Sequence, residues 1–226
     1  MINPVLKRTV TGLAVGMAVL LAILFAPLSV FPGVIDLLAL LAFAEYAMLL
    51  RQKVRLTSLN GLLMLALGLV VVLGGFGALL AVAFKNGAPM SGNLMFLYVI
   101  MIIKFSDVGG FAFGLTSAKL MKGGNHKMCP TISPGKSWEG MAGSIFASCL
   151  VSCCWMHGTG YSLVKSLALG ATAAIVGTFG DLVESKFKRW IGVKDSTAFK
   201  FTNGMGGLLD MFDSLVFAPA VLYPFL

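Results

Sequence analysis

Apolar runs of about twenty residues recur along the whole of this chain, and few features constrain a fold more tightly. A helix needs about 20 apolar residues to cross the hydrocarbon core of a bilayer. Within that core, only helices and closed barrels satisfy their own backbone polar groups. Continuous runs, without the alternation of a barrel strand, lie near 9–26, 30–50, 59–83, 93–115, 138–157, 162–183 and 206–225. A mean hydropathy of +0.93 excludes an ordinary soluble globular domain. The sequence therefore predicts an all-α polytopic integral membrane protein with about seven transmembrane helices, forming a single membrane domain over residues 1–226. Gly12-x-x-x-Gly16 and Gly110-x-x-x-Gly114 read as close helix contacts, because small residues let backbones approach.

Seventeen basic residues against nine acids give a net charge of +8, which by itself admits a nucleic-acid partner. Their placement argues for the membrane instead. With the N-terminus inside, cytoplasmic segments hold fourteen of them: Lys7, Arg8, Arg51, Lys53, Arg55, Lys119, Lys122, Lys127, Lys136, Lys186, Lys188, Arg189, Lys194 and Lys200. The opposite side holds Lys85 and Lys165, and Lys104 falls within a span. Positive charge retained inside predicts a multi-pass protein of the plasma or inner membrane, with the C-terminus outside and loops 116–137 and 184–205 cytoplasmic. The run after Lys7 and Arg8 resembles a signal peptide, but no Ala-x-Ala site follows it, so it reads as a retained first helix.

Five of the nine acids fall within residues 180–214. Ionisable residues at membrane depth are costly and mark function by default. Asp107 and Lys104 lie toward the inner half of the fourth run, Glu139 opens the fifth, Asp181 and Glu184 close the sixth, and Asp210 and Asp213 open the seventh. Four helix ends are thus expected to present carboxylates to one cytoplasm-facing depression. Asp210 and Asp213, three apart, share a helix face and repel unless a cation or proton intervenes. Magnesium held by carboxylates and substrate phosphates is one solution, and simple capping of a helix N-terminus is the other. Asp181, at the expected C-terminus of a helix, needs a partner against the macrodipole, either a metal or a lysine. Asp107 forms either part of a site or an ion pair with Lys104.

Lys186, Lys188, Arg189 and Lys194 form the densest basic run, which suits either an anchor on anionic headgroups or a clamp on phosphates. Ser133-Pro-Gly-Lys136 reads as a helix start, with Ser133 as N-cap, Pro134 in the first turn and Lys136 adding charge to an anion-binding end. It is not a Walker A loop, because Pro130 stands where the first glycine belongs. Cys149, Cys153, Cys154 and His157 have a spacing compatible with a metal, but buried apolar cysteine is the plainer reading.

Taken together, these segments resemble the phosphatidate cytidylyltransferases, or CDP-diacylglycerol synthases. Ser185-Lys-Phe-Lys188-Arg189 with Lys194-Asp195 is similar to the first half of that family's signature, and Gly206, Gly207, Asp210 and Asp213 to the second. Lys127-Met-Cys-Pro-Thr-Ile-Ser133-Pro-Gly-Lys136-Ser-Trp-Glu139-Gly is similar to its upstream segment, and Asp107-Val-Gly109 to its Asp-x-Gly. The likeness covers roughly 104–216. Met205 and Met211 depart from it, standing where the family has His and Arg, so no role of those two side chains carries over.

The resemblance implies joining of CTP to phosphatidic acid, giving CDP-diacylglycerol and pyrophosphate, with the lipid supplied by the bilayer. It implies magnesium, with room for a second cation, held by Asp181 and Asp210 first, then Asp213 and Asp195. It implies phosphate contacts from Lys188, Arg189, Lys194 and Lys136, hydrogen bonds from Ser133 and Ser185, and a site role for Asp107. Anion must attack anion in such a reaction, so cations and positioning supply the catalysis. A related enzyme acting on another lipid phosphate or a polyprenol, and a non-catalytic cation-binding membrane protein, are the alternatives; monomer or homodimer stays open.

Overall fold

The computed structural model describes residues 25, 27–87, 89–193 and 207–226. The helices are α1 (Phe31–Leu50), α2 (Leu59–Ala83), α3 (Gly92–Leu120), α4 (Trp138–Cys154), the single turn α5 (Met156–Thr159), α6 (Leu163–Ile191) and α7 (Leu208–Leu222). Between α3 and α4 lies an antiparallel hairpin of β1 (Lys127–Cys129) and β2 (Ser133–Ser137), pairing Lys127 with Ser137 and Cys129 with Ser133. The all-α membrane architecture stands, with this small hairpin added to it.

Among the described residues, five helices are long and apolar enough to cross a membrane: Pro32–Leu50, Leu59–Ala83, Gly92–Leu120, Leu163–Ile191 and Leu208–Phe225. The fifth expected run forms α4, shorter at 17 residues. The first expected run, 9–26, lies almost wholly outside the described residues. Large apolar side chains including Leu63, Leu67, Val70, Phe111 and Val164 are more than half exposed. A water-soluble monomer rarely bears so much contiguous apolar surface, whereas a bilayer accepts it.

Two boundaries differ from expectation, and both bear on function. Helix α6 does not end near 183 but continues two turns further, so Lys186, Lys188 and Arg189 are helical rather than in a loop. Its inward face continues through Leu182, Glu184, Ser185 and Lys188, all buried, so packing persists beyond the apolar run. Gly192 ends it with φ of 99°, its N–H bonded to Lys188 O and Arg189 O. Asp181 therefore lies mid-helix, and the macrodipole argument made for it does not apply. Similarly, Ser133 and Pro134 do not start a helix but lie in β2. Ser137 is the cap of α4, its Oγ accepting from Gly140 N at 3.1 Å. Proline fits β2 because its fixed φ suits an extended edge and no ladder donor is asked of it.

Glycines set the helix crossings. A Cβ on Gly109 would lie 2.5 Å from Gly143 O, and one on Gly143 would lie 2.7 Å from Gly109 O and collide with Phe113. A Cβ on Gly140 would lie 3.0 Å from Gly110 O, while Gly114 lies beside Ser137 and Gly140. The expected contact at Gly110 and Gly114 is thus the seam between α3 and α4. On the other side, α2 meets α7 where Gly75 abuts the Val216 carbonyl. The core between these seams holds Ala42, Val82, Tyr98, Ile102, Ala173 and Ala218, all without exposure. Tyr98 spends its hydroxyl on Ser152 Oγ at 2.8 Å, which is what allows so large a polar-tipped ring to be fully buried.

Candidate functional site

Helices α3, α4, α6 and α7 and the hairpin line a cavity of about 620 Å³. From α3 it receives Lys104 and Asp107, from β2 Ser133 and Lys136, from α6 Asp181, and from α7 Asp210 and Asp213. Residues that the sequence scatters over a hundred positions thus line one space. The hairpin is held over it by Arg189, whose Nε donates to Ile132 O at 3.4 Å while Nη1 donates to Val193 O at 3.1 Å.

Glu139 is a correction to the expected set. Its carboxylate turns away from the cavity to the hairpin, accepting from His126 N at 3.1 Å and lying 2.6 Å from His126 Nδ1. Helix α4 therefore contributes no carboxylate to the depression; Glu139 ties the first turn of α4 to the residue before β1.

The remaining acids around the cavity fall into three arrangements. Asp181, Glu184 and Asp213 each place a carboxylate oxygen within 4.8 Å of the others. Asp210 lies beside this group, with Oδ1 2.6 Å from Lys188 Nζ and Oδ2 accepting from Gly207 N at 3.1 Å. It therefore partly fulfils the capping alternative, satisfying an amide at the start of α7. Lys188 also stands 3.0 Å from Glu184 Oε2. Only a tenth exposed and shared between two carboxylates, Lys188 does not line the cavity. Ser185 Oγ donates to Asp181 Oδ1 at 3.4 Å, and Lys136 forms an ion pair with Asp181 across the cavity. Asp107 Oδ2 receives Ser214 Oγ at 3.0 Å and Lys104 Nζ at 3.3 Å. Lys194 and Asp195 lie outside the described residues.

Glu184 had not been singled out as a ligand, although its spacing from Asp181 puts the two on one face. Its side chain is 6% exposed, and neither oxygen accepts an aligned hydrogen bond despite the nearby Lys188. A buried carboxylate that shares its one cation with a second acid leaves room for a further positive charge. Together with two like charges in reach, it makes Asp181, Glu184 and Asp213 an all-oxygen set able to hold a metal ion, and such donors suit a hard cation. Glu45 is the other residue that sequence reasoning missed. Fully buried on α1, its Oε2 accepts Leu209 N at 2.7 Å and so fixes the first turn of α7. The available signal was an acid in the middle of an apolar run.

A family model described as the cytidylyltransferase family matches residues 63–226. The phosphatidate cytidylyltransferase of Staphylococcus aureus (strain COL) is 40% identical over 128 residues, covering 56% of this chain and 46% of the relative. The Staphylococcus haemolyticus protein of the same name is likewise 40% identical over 128 residues, again 56% of this chain and 46% of the relative. Its Haemophilus influenzae namesake is 34% identical over 136 residues, covering 58% of this chain and 44% of the relative. The chain spans about half the length of the curated relatives it matches.

Proposed function

The chain belongs to the cytidylyltransferase family, and from that premise we propose that it joins CTP to phosphatidic acid, forming CDP-diacylglycerol and pyrophosphate in phospholipid synthesis. The observation that carries this reading is the single cavity in which Lys104 and Lys136 meet Asp107, Asp181, Asp210 and Asp213 beside apolar helices. Such a space accepts both a charged nucleotide and the head of a lipid whose chains stay in the bilayer.

In the proposed reaction an oxygen of the lipid phosphate attacks the α-phosphorus of CTP. A phosphorus–oxygen bond forms there as the bond from the α-phosphorus to the bridging oxygen breaks, and pyrophosphate leaves. Lys136 and Ser133, on the hairpin, bind and orient phosphate oxygens from the open side. Ser185 steadies Asp181. Lys188 acts as a positioning residue through Asp210 and Glu184, because its buried ammonium is already committed to them. Arg189 holds the hairpin in place over the site. Lys194 and Asp195 join the phosphate and metal contacts respectively by resemblance alone.

Asp181, Glu184 and Asp213 would hold magnesium, with Asp210 adjacent. That ion supplies neutralisation of phosphate charge, which lowers the repulsion between the two anionic substrates. The whole chain acts as a single membrane domain, with the cavity facing the cytoplasm, where CTP is available.

The test is pyrophosphate release by purified protein reconstituted with CTP and phosphatidic acid, with and without magnesium. Release that requires all three supports the reading. Release with a polyprenyl phosphate but not with phosphatidic acid would transfer it to another acceptor, and absence of release with any lipid phosphate would defeat it.

A further inference from the structure

Lys104 is a lysine inside a transmembrane helix, and ion pairing with Asp107 does not fully account for its placement. Its Nζ lies 3.3 Å from Asp107 Oδ2, 3.1 Å from Met211 O and 3.2 Å from Ser214 Oγ. Three acceptors from two helices fix the ammonium in one position, and its side chain remains 37% exposed where it lines the cavity. Asp107 meanwhile has a second donor in Ser214 Oγ at 3.0 Å. Neutralising Asp107 needs the ion pair but not the added carbonyl and hydroxyl that aim the ammonium.

The cavity's charges give that aim a purpose. Four carboxylates and two ammonium groups line it, and Lys136 is tied to Asp181 on the hairpin side. Lys104 is the cation on the helix-borne wall, between α3 and α7. Phe111 lines the same cavity and is 73% exposed. An anion reaching this wall from the membrane side meets Lys104 there, within a site otherwise rich in negative charge.

We propose that Lys104 is a phosphate-binding residue of this cavity, taking an anionic phosphate oxygen on the wall formed by α3 and α7. The inference rests on the cytidylyl-transfer reading of the site and adds to it a residue outside the set derived from sequence. The phosphate comes either from the lipid or from the nucleotide, and the two give different kinetic signatures.

Binding of inorganic pyrophosphate with magnesium is measured calorimetrically in detergent, alongside KM for CTP and for phosphatidic acid. Lys104→Met is expected to weaken pyrophosphate binding or raise one KM by about tenfold or more, the loss of one charged hydrogen bond. The KM that rises identifies which substrate's phosphate is held. Lys104→Arg should keep most of the affinity, and Lys104→Met/Met211→Lys should regain part of it, because residue 211 lines the same wall. Unchanged pyrophosphate affinity together with unchanged KM values would overturn the proposal. So would full recovery in Lys104→Met/Asp107→Asn, which would reduce Lys104 to a neutraliser of Asp107. If wild-type protein binds pyrophosphate through Lys104 yet releases none from CTP, the reaction assigned above fails while the phosphate site stands.

Discussion

Lys188 Nζ lies 2.6 Å from Asp210 Oδ1, joining the last turns of α6 to the first turn of α7. The same ammonium is 3.0 Å from Glu184 Oε2, so one buried cation is shared by two carboxylates. This junction sets where α7 begins, and with it the position of Asp213 opposite Asp181. Breaking a buried ion pair from one side leaves an uncompensated charge, which costs more than the pair contributes.

Lys188→Met is therefore expected to destabilise the protein by about 3–5 kcal/mol, leaving Glu184 and Asp210 without the cation they share. Thermal unfolding in detergent measures this. A loss below about 1 kcal/mol would mean that the pair behaves as an exposed one.

Asp213→Asn removes one of three clustered carboxylates, while Asp210→Asn removes one of the two partners of Lys188. Both are expected to lower turnover by about 10²-fold or more, as losing charge stabilisation at a reacting centre does. They should differ otherwise. Asp213→Asn should raise the magnesium needed for half activity and leave the metal-free protein as stable or more so, since repulsion is relieved. Asp210→Asn should lower stability with a smaller change in magnesium demand. A magnesium titration beside thermal melts separates them, and identical behaviour of the two variants would contradict the division of the acids.

Glu45→Ala should cost about 1–3 kcal/mol, because Leu209 N would lose a buried acceptor. Glu45→Gln, which keeps an acceptor oxygen, should lose less. If Ala and Gln melt together, this hydrogen bond does not hold the start of α7.

Gly143→Leu should separate α3 from α4, because even a Cβ there meets Phe113 and the Gly109 carbonyl. Overpacking of this kind costs roughly 1–3 kcal/mol. Gly74→Ala on α2 is the control, since a Cβ there has nothing within 4 Å. It should be neutral or slightly stabilising, as removing glycine from a helix interior is. Equal melting losses for the two would remove the glycine seam as the cause.

In a cysteine-free background, Asn86→Cys is expected to react with a membrane-impermeant thiol reagent on intact cells, and Lys122→Cys only after lysis. Both positions are exposed, in the α2–α3 connection and after α3 respectively. The reverse pattern would invert the orientation argued from the basic residues.

The membrane helices were legible in the sequence because their cause is local. A run such as 59–83 satisfies its backbone within itself and meets hydrocarbon with its side chains, so composition alone determines it. The carboxylate at Asp181 and the lysine at Lys136 were legible for a related reason: charge at a membrane boundary has to be explained. Their partners were decided by tertiary structure. Helix α6 continues to Ile191 because its face through Lys188 stays packed, which no apolar count reports. The Gly109–Gly143 contact brings α3 against α4, and the Glu45–Leu209 bond anchors the start of α7. Those contacts fix the depth and rotation of each helix, and rotation decides which acid on a face reaches which. Glu184 therefore joins Asp181 and Asp213, while Asp210, three residues from Asp213, turns to Lys188. Spacing along one helix determines which residues share a face, but only the packing of several helices determines what that face meets.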